Sequence, residues 1–331
     1  MFYTSRTPLR VSLFGGGSDY PGWYRRRPGA VLGFTIDKYI YISALRLSAF
    51  VDYRYRLTYS RLEVGNDIAE IQHPVVRAVL TREEFSTPMD YSIQADLPAN
   101  AGLGSSSAFT VGFLSLITSL KGASRTKLEL AEEAIEIEQN VLMERVGIQD
   151  QLHAAFGGLN HFTFEGDRFG INPVHVSGVD LDRLADWLVL VYTGVKRHAS
   201  EVLEAQVANT VEERVDGELE AMVALVDEGH QILETVHGDA LPVELARLLD
   251  ESWQLKKRLS PHVSSPEIDD LYERCRRAGA LAGKLCGAGS GGFLLMVVPP
   301  DRRAALSDEF GADRCITFRI EQSGSVVSHH W

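Results

Sequence analysis

The chain has 331 residues, 45% of them hydrophobic and 24% charged, with a formal net charge of −12. That charge argues against the broad positive footprint of a nucleic-acid binder and leaves room only for a local basic pocket. Three cysteines, Cys275, Cys286 and Cys315, lack metal-ligand spacing and form no disulfide framework. The N-terminal MFYTSRTPLRVSLFGGG is apolar only briefly before its glycines and makes no convincing signal peptide. No apolar run is long enough to span a membrane, so a cytoplasmic protein without nucleic-acid or membrane partners is expected.

In chain order, Leu9, Val11 and Leu13 alternate with Arg10 and Ser12, which predicts a strand. TIDKYIYISAL (35–45) is rich in β-branched and aromatic residues, and YRYRLTY (53–59) alternates again. Helical periods begin near residue 105. KLELAEEAIEIEQNVLMER (127–145) predicts one long helix, and further helices fall within 211–258. WLVLVYTG (187–194) and GGFLLMVVPP (291–300) read as buried strands. The chain is mixed α and β, with a charged stretch of poor periodicity at 165–183. The division is therefore drawn between residues 1–175 and 176–331.

DLPANAGLGSSSA (96–108) is the stretch with the most chemical promise. It lacks the lysine of a Walker loop. Gly102 to Ser107 resembles a dinucleotide loop without its last glycine, and no acidic residue in the right context supports one. Gly104 to Ala108 is a near match to a hydrolase elbow centred on Ser106. A third reading is an anion cradle, in which glycines admit a phosphate to backbone N–H groups at a helix N-terminus. The bland alternative is a serine N-cap after a turn. Taken alone, the loop slightly favours the cap.

Three companions bear on that choice. FGGGSDY (14–20) follows a strand and offers open backbone plus Asp19, unless it is only a capped turn. GKLCGAGSGG (283–292) is half glycine, more than a turn needs. On the helix at 127–145, Ala131, Ile135 and Leu142 form an apolar stripe, and Glu138 falls inside it. A carboxylate there needs a cation or metal as partner, unless it reaches water at the stripe's edge. Asp150, in GIQDQ, either caps a helix or sits in a polar pocket.

PLRVSLFGGGSDY, DLPANAGLGSSSA and KLCGAGSGG, in this order, resemble the three signature motifs of the GHMP small-molecule kinases. The likeness runs almost end to end. Within that family, RTPLRVSLFGGGSD, TIDKYIY, HPVVR (73–77) and VGIQDQ are most similar to kinases of D-glycero-D-manno-heptose 7-phosphate. Ser18 stands where those proteins usually carry threonine. The resemblance implies an α+β, two-domain fold. Its N-terminal domain would be like ribosomal protein S5 domain 2, with a left-handed βαβ crossover, and its C-terminal domain ferredoxin-like.

The resemblance also implies an enzyme using ATP and Mg²⁺ on a small sugar phosphate, with a homodimer as candidate assembly. Pro98, Gly102, Leu103, Gly104, Ser105, Ser106 and Ser107 would bind ATP. Ser106 and Glu138 would hold Mg²⁺. Asp150 would act as base on the attacking hydroxyl, with Arg10 beside it. Gly16, Gly17, Ser18, Asp19, Lys196, Arg197, Gly287, Ala288 and Gly289 would meet the substrate. The acceptor would be the anomeric C1 hydroxyl and the product a 1,7-bisphosphate for surface polysaccharide. Lys196 and Arg197, or Arg25-Arg26-Arg27 with Arg46, would supply a second anionic subsite, although a solvated turn is the plainer reading of the triple arginine. Three rivals stand: a fucose- or galactose-type 1-kinase, a non-catalytic sensor on the same fold, and a serine hydrolase.

Overall fold

The first strand, β1 (Phe2–Phe14), carries the alternation read at its start and leads through a short helix, α1 (Pro21–Tyr24), into the long β2 (Gly29–Arg46), which pairs with β1 antiparallel. β3 (Tyr55–Thr58) and β4 (Leu62–Gly65) form a hairpin, and α2 (Pro74–Arg82) leads to β5 (Met89–Ala95). β5 lies antiparallel to β2 and parallel to β3. Three helices follow, α3 (Ser105–Leu120), α4 (Lys127–Glu136) and α5 (Gln149–Phe156), and then a hairpin of β6 (Leu159–Glu165) and β7 (Arg168–Pro173). This computed structural model describes residues 2–99, 101–195 and 199–330.

The second half opens with α6 (Gly178–Trp187) and β8 (Leu188–Tyr192). It continues through α7 (Ala199–Val211), α8 (Asp216–Thr235), α9 (Ala240–Leu259) and α10 (Pro266–Arg277). β9 (Ala282–Leu285), β10 (Phe293–Val297), α11 (Arg303–Phe310) and β11 (Cys315–Ile316) complete a four-stranded antiparallel sheet ordered β11-β8-β10-β9. The β-α-β-β-α-β succession is the ferredoxin-like one. The last strand, β12 (Val326–His330), returns to pair with β1, so the first sheet has eight strands. The division drawn at 175/176 falls in the link between β7 and α6, and β12 recrosses it.

The unbroken apolar runs of β8 and β10 have a physical cause. Side chains alternate across a strand, and here both faces are covered. Leu188, Leu190, Phe293, Leu295 and Val297 join the core shared with the first half. Val189, Val191, Leu294 and Met296 join a second core with Trp253 and Ile268. α8 packs on β1 and β2, while α9 packs on α8 and on β9, so this helix pair links the two sheets.

One expected element is interrupted. The single helix over 127–145 ends as an α-helix at Glu136, and Ile137–Val141 winds as a π-helix, with the Leu142 N–H bonded to the Ile137 carbonyl at 2.8 Å. Met143, with φ of 57°, then turns the chain away. The π turn adds a residue to the winding and resets which side chains face the core.

Candidate active site

Arg10 lies on β1 and Asp150 in the first turn of α5. The guanidinium grips the carboxylate through two bonds, Nε to Oδ1 at 2.7 Å and Nη2 to Oδ2 at 2.9 Å. Its Nη1 donates to the Gly102 carbonyl at 2.6 Å, and its backbone N–H donates to the Leu103 carbonyl at 3.0 Å. Arg10 thus ties Asp150 to the serine loop. Burial works against the guanidinium charge, but Asp150 outweighs it and raises the Arg10 pKa.

Both residues line a cavity of about 210 Å³ that draws walls from both halves of the chain. Asp19 lies there too, 1% exposed, accepting from the Gly17 N–H at 3.0 Å and the Gln149 N–H at 3.4 Å. Burial, helped by the nearby Asp150 charge, raises the Asp19 pKa. Ser12 Oγ and Gln149 Oε1 are buried at this cavity without a protein partner among the described residues.

The serine loop resolves its own ambiguity. The N-cap of α3 is Gly104, left-handed at φ 72°, and no side chain caps the helix. The serines therefore open the helix, and its first N–H groups and positive dipole end stand beside the cavity. This fits the anion cradle and excludes the serine cap. Among the described residues no hydrogen bond joins Ser105, Ser106 or Ser107 to an imidazole, as a hydrolase elbow would need. A second, larger cavity of about 570 Å³, lined by Tyr59, His73, Ile93 and Phe109, also touches Ser105 and Ser106. The two cavities share those serines, an arrangement that suits a base in one and phosphates at the junction.

The third glycine stretch is packed into this loop. A Cβ on Gly102 would lie 2.5 Å from the Cys286 carbonyl oxygen, and one on Gly287 2.4 Å from Gly102 Cα. Many glycines are needed because two loops approach backbone to backbone.

Family comparisons agree with the geometry. The model for the GHMP kinases N terminal domain matches residues 73–158, and that for the GHMP kinases C terminal matches 239–315. The chain belongs to the GHMP kinase family. As a GHMP kinase it is an ATP-dependent phosphotransferase with a hydroxyl acceptor, built on the family's two-domain fold. It is similar to a D-glycero-alpha-D-manno-heptose 7-phosphate kinase of Campylobacter jejuni, 29% identical over 90% of each chain. A galactokinase of Thermotoga maritima is 25% identical over 97% of this chain and 98% of its own. A solved D-glycero-D-manno-heptose 1-phosphate kinase from Bacteroides thetaiotaomicron superposes with a TM-score of 0.79, 22% identity and 99% coverage of both chains.

In this GHMP kinase the expected site residues divide. Arg10, Gly16, Gly17, Asp19, Gly102, Gly104, Ser105, Ser106, Ser107, Asp150, Gly287 and Ala288 converge on one cavity. Ser18 does not face it. Its buried hydroxyl lies within bonding distance of the carbonyls of Gly15 and Ala30 and accepts from the Ala30 N–H, so it fastens the loop to β2. Pro98 is exposed and lines neither cavity, and Leu103 is buried in the core. Gly289 packs against the backbone of Val263 instead. Lys196 and Arg197 lie outside the described residues. Of the triple arginine, Arg26 and Arg27 pair with Asp216, Glu213 and Glu220 over the Trp23 ring, which makes them a tie to α8.

Glu138 is fully buried, within the π turn. Its Oε2 accepts from Ser107 Oγ at 2.9 Å and Gln151 Nε2 at 2.5 Å, while Oε1 has no partner among the described residues. Burial pushes its pKa up to about 7, against the pull of the Thr110, Ser107 and Gln151 groups. Ser106, expected beside Glu138, is exposed at the cavity, and Ser107 makes the direct contact. An oxygen-only donor set with one bare carboxylate oxygen fits a hard divalent cation.

Sequence reasoning missed two lysines. Lys256 and Lys284, 6% and 3% exposed, line the same cavity from the second half. Lys256 follows Leu245, Leu249, Ser252 and Trp253 at helical spacing, which is the signal that singled out Glu138. The run KKR masked it as a solvated face.

Proposed function

We propose that this sugar kinase transfers the γ-phosphoryl group of ATP to the C1 hydroxyl of D-glycero-D-manno-heptose 7-phosphate. The product would be the 1,7-bisphosphate, made in the cytoplasm for activated heptose and for lipopolysaccharide or capsule. The likeness over 90% of both chains to a kinase of that sugar phosphate carries the reading.

Phosphoryl transfer asks for alignment and charge neutralisation more than covalent chemistry. The N-terminal amides of α3, with Ser105, Ser106 and Ser107, would hold the phosphates, and the aromatic cavity beside them would take adenine. Asp19 and the Gly16-Gly17 backbone would orient the sugar hydroxyls. Asp150, aimed by Arg10, would accept the hydrogen bond and then the proton of the attacking hydroxyl. Gly287 and Ala288 would close the far wall. Ser106 and Glu138 would hold Mg²⁺, which supplies neutralising charge to the triphosphate when bound.

An ATP-consumption panel tests the reading, with heptose 7-phosphate, heptose 1-phosphate, galactose, fucose and mevalonate as acceptors. Heptose 7-phosphate is expected to show the highest kcat/KM, with a new anomeric phosphate signal in ³¹P NMR. Faster turnover of galactose or fucose would replace it with a neutral-sugar kinase.

A further inference from the structure

The second half of the chain contributes positive charge to the cavity without an obvious counter-charge. Lys256 lies in the last turn of α9, and its Nζ donates to the carbonyls of Leu285, at 3.0 Å, and Gly287. Lys284 lies on β9, and its Nζ donates to the carbonyl of Leu13 at 2.7 Å. Among the described residues neither ammonium meets a carboxylate. The charged or ionisable groups acting on Lys256 are Lys284, the Cys286 thiol and Arg10, and those acting on Lys284 are the same thiol and Arg10. Burial pushes that thiol up, so it stays neutral, and Asp150 already engages Arg10.

A buried cation held only by carbonyl dipoles is costly unless a counter-charge completes it. Burial lowers both lysines, Lys284 to about 8 and Lys256 well below its ordinary value. Each ammonium has three N–H groups. Lys284 uses one on Leu13 and Lys256 two, which leaves three donors at the cavity wall. A phosphate dianion offers the acceptor oxygens and the charge to meet them.

We propose that Lys256 and Lys284 form an anion subsite that takes the acceptor's own phosphate group. Position favours the acceptor over the nucleotide. The α3 amides and serines stand ready for the triphosphate. The lysines sit between Gly287 and the end of β1, the strand that leads directly into Gly16, Gly17 and Asp19. The assignment of the acceptor's phosphate rests on the phosphosugar reading above, whereas the subsite itself does not.

Lys256→Met and Lys284→Met keep the apolar stems and remove the charge. With heptose 7-phosphate, each variant is expected to raise the acceptor KM by about tenfold or more, the scale of a lost charge-assisted hydrogen bond. KM for ATP and turnover of the neutral heptose should hold steady, and Lys284→Arg should recover part of the loss. Orthophosphate is the second probe, read by its thermal-shift protection of the wild-type protein, which both Met variants should lose. That probe needs no sugar, so it reads the subsite even if the acceptor panel rejects heptose. Equal losses with phosphorylated and neutral acceptors, with orthophosphate protection intact, would reduce the lysines to loop supports and overturn the proposal. A rise confined to the ATP KM would overturn the acceptor assignment and give the subsite to the nucleotide.

Discussion

Asp150 is both aimed and restrained by Arg10. Two parallel bonds of 2.7 and 2.9 Å fix the plane of its carboxylate and leave it little freedom to turn. In the proposed reaction that fixed carboxylate would hold the acceptor hydroxyl in line and take its proton as the bond to phosphorus forms. Asp150→Asn should lower kcat by roughly 10²–10⁴-fold. Because the proposed ATP cradle is built on α3, ATP affinity measured by calorimetry should stay close to wild type. Unimpaired turnover would remove Asp150 from the reaction. Behind this pair, His153 sits fully buried with neither ring nitrogen bonded among the described residues. Burial first, and the Arg10 charge second, lower its pKa to about 3. The unfolded chain takes up a proton near the ordinary value of 6.5, and the folded chain refuses it. Stability therefore falls as pH drops through 6.5 toward 3. Between pH 7.5 and 5 the His153 share of this loss is about 2 kcal/mol. Urea titrations at the two pH values should show a shallower dependence in His153→Leu by about that amount, and an unchanged slope would place its source elsewhere.

At the scale of elements, the site depends on interlocked loops and one irregular helix. The α3 amides are presented to the cavity because Gly104 takes the cap position, and the loop before it is held by the Cys286–Gly287 backbone. Gly102, at φ 77°, combines left-handed backbone with that contact. Gly102→Ala should cost roughly 1–3 kcal/mol of stability and weaken ATP binding together. Gly217→Ala, where a Cβ meets nothing within 4 Å, is the matched control in thermal melts and ATP titrations. Loss of stability without loss of ATP affinity would separate the loop contact from the phosphate site. These loops were legible in the sequence because their chemistry is local: clustered glycines and serines announce close backbone approach. Glu138 was legible too, as a carboxylate within an apolar stripe. That Ser107 rather than Ser106 reaches it was not, because this depends on the rotation of α3 against the π turn. Nor was the inward turn of Ser18, which answers to the Ala30 backbone on a neighbouring strand. Such long-range pairings leave no local pattern.

At the scale of the molecule, the cavity is assembled by chain crossings, and one runs behind the Arg10–Asp150 pair. After the second sheet the chain returns along the first. Gly158 N–H and Thr35 Oγ1 both donate to the Glu321 carbonyl, at 2.9 and 2.7 Å. Ser325 N–H bonds Ala154 O at 2.8 Å, and Ser325 and Thr7 hydroxyls share a 2.8 Å bond. β12 then pairs with β1 from Arg6 back to Phe2. Ala154 and Asp150 share α5, and Thr7 and Arg10 share β1, so this crossing braces both members of the Arg10–Asp150 pair from behind. Deleting residues 322–331 would open the β1 edge and remove several backbone bonds at about 1 kcal/mol each. The expected result is a loss of roughly 3–5 kcal/mol in urea unfolding, with self-association through the exposed edge seen by size-exclusion chromatography. Turnover should fall more than ATP affinity, because the crossing hydrogen-bonds to α5 and β1, which carry Asp150 and Arg10, while it meets α3 by packing. If the shortened chain unfolds at the wild-type midpoint and keeps its kcat, the crossing is decoration and the pair is held by β1, α5 and the serine loop alone.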